Sequence, residues 1–178
     1  MKKIVITGPE SSGKTTLAAR LAEHFGTVWV PEFARQYLDS LGRPYLEADL
    51  LDIARGQVAL EDEMAGSATN GLLFLDTSLE VLKIWSEFRF GHCHTETLEL
   101  LQLRLPDHYL LCLPDLPWAP DPQRENPGDR DVLLDIYRRE ITSLGVPFSE
   151  VGGSGEERFN NALNMVNAIQ SPNNSITQ

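Results

Sequence analysis

Near its start the chain carries Gly8, Gly13, Lys14 and Thr15 in the spacing G-x-x-x-x-G-K-[ST], written here as GPESSGKT. These residue types in this order can hold a polyphosphate. Successive backbone N–H groups of such a loop and of the helix behind it point at one spot, where the helix dipole adds partial positive charge. Glycine lets the backbone curl round a phosphate without a Cβ in the way. Lys14 would reach the β- and γ-phosphates, and the Thr15 hydroxyl would face Mg²⁺. The expected nucleotide-binding set is therefore Gly8, Pro9, Glu10, Ser11, Ser12, Gly13, Lys14, Thr15 and Thr16, with ATP as the nucleotide.

Three further groups could complete a phosphoryl-transfer site. Asp76 ends the apolar run LLFLD, where a carboxylate can hold Mg²⁺; the competing role is an acid at the start of the next helix, with Thr77 as its cap. Glu32 and Arg35, in PEFAR, follow a second short strand. Glu32 could take the proton from an acceptor hydroxyl, and Arg35 could hold the acceptor or the moving phosphoryl group. The competing reading is a plain i,i+3 ion pair. The proline-rich stretch from Pro114 to Asp131 contains Trp118, Arg124 and Arg130, and reads as a lid that brings positive charge and excludes water. Trp85, Phe88 and Phe90 could wall a flat substrate ring, or could simply pack in the core. His92, Cys93 and His94 alternate in GHCH, but a metal site needs further ligands.

The elements needed to position these groups can be read from the pattern. Lys3 to Thr7 (KIVIT), Thr27 to Val30, Leu72 to Leu75, His108 to Leu113 and Val146 to Val151 are short apolar strands. Helices are expected at Thr15 to Phe25, where Leu17, Leu21 and Phe25 share a face, and at Phe33 to Leu41. Others follow at Leu46 to Met64 (with Gly56 inside it), Ser78 to Phe88, Thr95 to Arg104, Asp131 to Leu144 and Glu156 to Ile169. Strands alternating with helices predict an α/β fold: a five-stranded parallel sheet with helices on both faces, of the P-loop NTPase type. Ligands in such sheets sit beyond the carboxyl ends of the strands. That rule gathers the glycine loop, 31–35, Asp76, 114–130 and 152–155 on one rim.

The whole chain bounds the partners. With 178 residues, 42% hydrophobic and 23% charged, it reads as one globular domain over 1–170 followed by a loose polar tail at 171–178. A net charge of −11 argues against a general nucleic-acid surface. No run is long enough to span a membrane, and two cysteines, Cys93 and Cys112, give no disulfide framework. The expectation is a cytoplasmic protein acting on a small molecule.

Taken together, GPESSGKTTL, PEFAR, LFLDTSLEVLKIWSEFRFG and LPDLPWAPDPQRENPGDR resemble the ribosylnicotinamide kinase domain of the bacterial bifunctional NAD-biosynthesis regulators, over roughly residues 1–169. The loop alone says only NTPase; the E-x-x-R and the D-x-P-W of the lid make the resemblance specific. It implies transfer of the ATP γ-phosphate to the 5′-hydroxyl of nicotinamide riboside. By position, Gly8 to Thr16 would bind ATP and Mg²⁺, with Thr15 and Asp76 as metal ligands. Glu32 and Asp76 would face the ribose and metal, with Arg124 and Arg130 on the lid; joined to the reading of the residues, this makes Glu32, Arg35, Asp76 and Trp85 the expected substrate contacts and Lys14, Glu32, Asp76, Arg124 and Arg130 the expected catalytic set. Because the chain opens on its phosphate-loop strand, it is expected to be a free-standing kinase domain. Two alternatives stay open: a kinase for another nucleoside or small metabolite, and a nucleotide-dependent regulatory ATPase.

Overall fold

The computed structural model describes residues 1–122 and 128–171. Its elements run β1 (Lys2–Thr7), α1 (Lys14–Phe25), β2 (Trp29–Val30), α2 (Phe33–Leu41), α3 (Glu47–Ala65), β3 (Leu72–Asp76), α4 (Leu79–Phe90), α5 (Thr95–Leu103), β4 (His108–Cys112), α6 (Arg130–Leu144), β5 (Phe148–Val151) and α7 (Gly155–Gln170). The five strands form one parallel sheet in the order β2-β3-β1-β4-β5. From β1 the chain goes out to the edge strand β2, returns to β3 beside β1, and then crosses to β4 and β5 on the other side; that change of side leaves a crevice beyond the end of the central strand.

Strand β1 is apolar on both faces because both faces are covered. Ile4 and Ile6 pack with Phe74 and Leu110 against Leu17 and Leu21 of α1 and Ala162 and Val166 of α7. On the other face, Val5, Leu73 and Leu111 pack with Ile84 of α4 and with Leu134, Tyr137 and Ile141 of α6. A third cluster joins α2, α3, α4 and α5 through Ala34, Ile53, Leu82 and Leu101. Register aligns the site: Ile6 pairs with Asp76 and Thr7 with Leu111, so the glycine loop leaves β1 beside the ends of both neighbours.

Element ends differ from the sequence expectation where a side chain or a proline takes over the backbone. β2 is shorter than Thr27 to Val30. The Thr27 amide closes α1 onto Ala22, and its hydroxyl donates to the Leu72 carbonyl at 2.8 Å. β5 begins at Phe148 rather than Val146, since Pro147 has no N–H for a ladder and offers only its carbonyl, to Tyr109. α4 runs on to Phe90, where Gly91 ends it in the left-handed region. Thr77 is not the cap of α4. Ser78 holds that position, while Thr77 sits at φ 66 with its amide donating to Ile6. Of the expected tail, only Ser171 lies among the described residues.

The first turn of α4 buries Glu80 completely beneath the sheet end. Burial pushes its carboxyl up to about 7, although the neighbouring Thr7 hydroxyl and the first amides of α4 pull the other way. A carboxyl raised on folding binds its proton more tightly in the native state, so its contribution to stability falls as pH rises from the ordinary glutamate range through 7. Glu80→Gln, which stays neutral, should therefore melt above the parent at pH 8, with the gap closing towards pH 4.5. Thermal melts at three pH values across that window measure it; a gap independent of pH would show that Glu80 does not titrate there.

Candidate active site

The loop between β1 and α1 lies against the end of β4. A Cβ on Gly8, which sits at φ +132, would come within 2.6 Å of the Cys112 carbonyl oxygen. Only glycine allows that approach. Gly13, at φ +80, is covered by Leu116, and Ser11 also takes a positive φ of 56. Inside the loop, the Ser12 hydroxyl donates to the Pro9 carbonyl at 2.7 Å. The Lys14 ammonium donates to the carbonyls of Gly8 and Pro9, both at 2.9 Å. Lys14 thus lies along the loop it would serve, at the start of α1.

Thr15 and Asp76 meet at the rim. The Thr15 hydroxyl donates to Asp76 Oδ2 at 2.5 Å, whereas the buried Oδ1 has no hydrogen-bond partner among the described residues. Burial raises the Asp76 carboxyl above its usual range, against the lowering effects of Thr15, Lys14 and Arg35. Glu32 behaves alike: desolvation raises it, Lys14 and Arg35 lower it, and Asp76 adds to the rise. The Lys14 ammonium thus acts on both carboxyls.

A cavity of about 480 Å³ is lined by the loop from Gly8 to Thr16 and by Glu32, Arg35, Thr77, Trp85 and Tyr137; Asp76 is not in its lining but bonds Thr15, which is. Its lining joins the polar loop to an apolar and partly aromatic set that includes Leu38, Val81, Trp85 and Phe88. Trp85 is held by its indole N–H, which donates to the Tyr45 hydroxyl at 3.0 Å. Phe90 does not line the cavity; it packs edge-on to Tyr45, in the α2–α5 cluster.

The segment after β4 covers the loop. The Ser11 hydroxyl donates to the Pro117 carbonyl at 3.3 Å and accepts from the Ala119 amide at 3.0 Å. Arg35 is not simply paired with Glu32: its guanidinium bonds Asp121 at 2.9 Å and so ties the covering segment to α2. Arg130, at the start of α6, donates to the Leu116 carbonyl and lies over the Trp118 ring at 5.8 Å. It stands at the root of the cover, outside the cavity wall. Arg124 falls outside the described residues. His94 caps α5, His92 pairs with Glu47, and among the described residues no cluster of three metal-ligating side chains occurs.

Sequence reasoning missed two residues. Tyr137 reads as ordinary amphipathic core, yet it reaches the cavity. Arg158 reads as one charge in a polar first turn (GEERF), but it is buried and joins three loops. Its guanidinium donates to Ser12 of the phosphate loop, Leu113 and the Asp115 carboxylate at the cover's root, and Val151 and Gly153 beside β5. No local pattern signals this role, because all the acceptors but Gly153 and Val151 lie far away in sequence.

A parallel sheet with a glycine loop over its central strand, a lysine in that loop and an acid ending the adjacent strand define a P-loop domain of nucleoside- and nucleotide-kinase architecture. The chain belongs to the AAA domain family, whose model matches residues 3–158. It is 28% identical over 156 residues to the trifunctional NAD biosynthesis/regulator protein NadR of Escherichia coli, covering 84% of this chain and 36% of that protein. The chain thus spans little more than a third of that relative. Among solved structures, it superposes on NadR in complex with NR at a TM-score of 0.79 and 21% identity, over 99% of this chain and 54% of the other. Thymidylate kinase from Ehrlichia chaffeensis superposes at 0.65 with 13% identity, over 95% of this chain and 98% of that one.

Lys14 is the first residue of α1 and lies outside the core, so its removal should spare the fold. Lys14→Ala should keep the parental circular dichroism spectrum and lose at least tenfold in ATP affinity by calorimetry, roughly the loss of one charge-assisted phosphate contact. Unchanged ATP binding by the folded variant would show that this loop is not where the phosphates sit.

Proposed function

We propose that the chain is an ATP-dependent kinase that phosphorylates the 5′-hydroxyl of nicotinamide riboside to nicotinamide mononucleotide. One observation carries the reading: Glu32 and Lys14 face one cavity whose lining is partly aromatic. A hydrolytic switch needs no such acceptor pocket. The likeness to NadR, and to its structure with NR, supports the riboside as the acceptor.

The loop amides and Lys14 hold the ATP phosphates in line with the acceptor. The Glu32 carboxylate takes the proton from the acceptor hydroxyl as its oxygen bonds to the γ-phosphorus. The bond from that phosphorus to the bridging oxygen breaks, and ADP leaves with the electron pair. Arg35 and Trp85 orient the acceptor, one from α2 and one from α4. Arg130 belongs to the lid through its hold on Leu116. The segment from Asp115 to Asp121 excludes water from the transfer.

The residues present suit a Mg²⁺ ion, because among the described residues one buried Asp76 carboxylate oxygen has no partner while the other is bonded by the Thr15 hydroxyl. Thr15 and Asp76 would hold it. When bound, it would neutralise charge on the β- and γ-phosphate oxygens. The unpaired thiols Cys93 and Cys112 fit the reducing cytoplasm.

A coupled ADP-release assay over a nucleoside panel tests the acceptor, and nicotinamide riboside should give the highest kcat/KM; turnover with no acceptor in the panel would sink the kinase reading. Glu32→Gln keeps the shape and loses the base, so kcat should fall by about 10²–10⁴ with little change in the KM for ATP. Since burial raises Glu32, the parent should lose activity on acidification at a pH above the ordinary glutamate range, and that limb should vanish in the variant. The Asp76→Asn defect should shrink as Mg²⁺ is raised, by mass action. Repair of Glu32→Gln by Mg²⁺ instead would exchange the two roles.

A further inference from the structure

Strand β2 is two residues long and pairs on one side only, with Phe74 and Leu75 of β3. The ladder ends at Val30, so the sheet does not hold Glu32, two residues on. Glu32 is the N-cap residue of α2, where a side-chain oxygen ordinarily accepts from the first-turn amides. Its carboxylate makes no such bond.

The capping work falls to another helix. The Phe33 amide donates to Gln57 Oε1 of α3 at 2.8 Å, and Gln57 Nε2 donates to the Pro31 carbonyl at 3.4 Å. These two backbone groups flank Glu32. Gln57 is only 3% exposed, so its carboxamide has no exchange with bulk water to fall back on. The preceding residue completes the grip. A Cβ on Gly56 would come within 2.0 Å of the Phe33 ring, so the ring seats directly on the α3 backbone. A glycine inside a helix costs about 1 kcal/mol relative to alanine, and here it makes room for the residue after Glu32.

We infer that Gln57, with Gly56, is a positioning device for the acceptor carboxylate: it caps α2 from outside, which leaves the Glu32 side chain to the cavity. The inference rests on the kinase reading for its catalytic consequence and on the hydrogen bonds alone for its structural one. Gln57 touches neither phosphate nor acceptor; it acts through Glu32.

Two measurements separate the inference from the reading beneath it. Amide hydrogen exchange needs no substrate. Gln57→Leu should speed exchange at Phe33 by roughly fivefold, the worth of one lost hydrogen bond, with the glycine loop and β1 unchanged. Unaltered exchange at Phe33 would overturn the clamp. If the parent turns over no nicotinamide riboside, the acceptor assignment fails, and exchange still judges the clamp. Where the parent is active, Gln57→Leu should lower kcat by up to about 10²-fold, the cost of an ångström-scale misplacement, with the KM for ATP within about twofold. Gln57→Glu keeps an oxygen for the Phe33 amide and should recover part of the loss; it also serves if the leucine variant does not fold. In a Glu32→Gln background, Gln57→Leu should cost little more, because the group it positions has gone. Losses that multiply in the double variant would show Gln57 to act on the fold generally and would overturn its positioning role.

Discussion

The site depends on how closely the loop after β1 lies on the end of β4. The contact between Gly8 and the Cys112 carbonyl leaves no room for a side chain. It sets where the loop turns, and hence where its amides point. α1 then starts at Lys14 in the same place, and Thr15 in its first turn falls beside Asp76 at the end of β3. Buried Arg158 secures the arrangement from behind, spanning the loop, the root of the covering segment and the turn after β5. A buried guanidinium is tolerable only when its donors are satisfied, and here five acceptors from three loops receive them. The same requirement that keeps Arg158 bonded keeps those loops together.

Electrostatics in the cavity run against the charge of the whole chain. The protein carries −11, yet the loop faces the cavity with amides and an ammonium. Lys14 lowers both Glu32 and Asp76, while burial raises both. Neither carboxyl is locked into a strong ion pair. A carboxylate poised in this way can accept a proton or a cation, whereas one held far below its ordinary range by a tight partner, as Asp49 is by Arg43 and the Leu46 amide, is committed to structure.

The cover over the loop is held by weaker means. Ser11 exchanges two hydrogen bonds with it, and Arg35 reaches Asp121 across a partly exposed gap. Exposed ion pairs of this kind contribute about 0–1 kcal/mol, so this tie adds little to the stability of the fold. Its root is different. Asp115 is bonded to both Arg158 and the Gly153 amide, which ties it to α7 and to the turn after β5.

Much of this was legible in the sequence because it is written in local pattern. Five apolar runs alternating with helical periods imply a parallel sheet, and parallel sheets place ligands beyond their strand ends. The glycine spacing then marks the loop, and the acid ending LLFLD marks its neighbour. The same rule puts Glu32 and Arg35 on the rim, whereas Trp85, which pattern leaves open between a substrate wall and the core, both lines the cavity and packs in the α2–α5 cluster. What local pattern could not carry were partnerships between distant residues. Arg35 was expected to face the acceptor or Glu32, but its partner Asp121 is 86 positions away. Arg158 and Gln57 show no periodicity or spacing of their own; their roles exist only because folding brings Ser12 to α7 and Pro31 to α3. Thr77 was read as a cap from its residue type, whereas the tie of its amide to Ile6 holds it at positive φ. Backbone pattern and residue type determine elements and the rim they share. Which buried polar group satisfies which is decided by the tertiary structure, because a hydrogen bond left unmade in the interior is costly and the nearest partner in space is rarely the nearest in sequence.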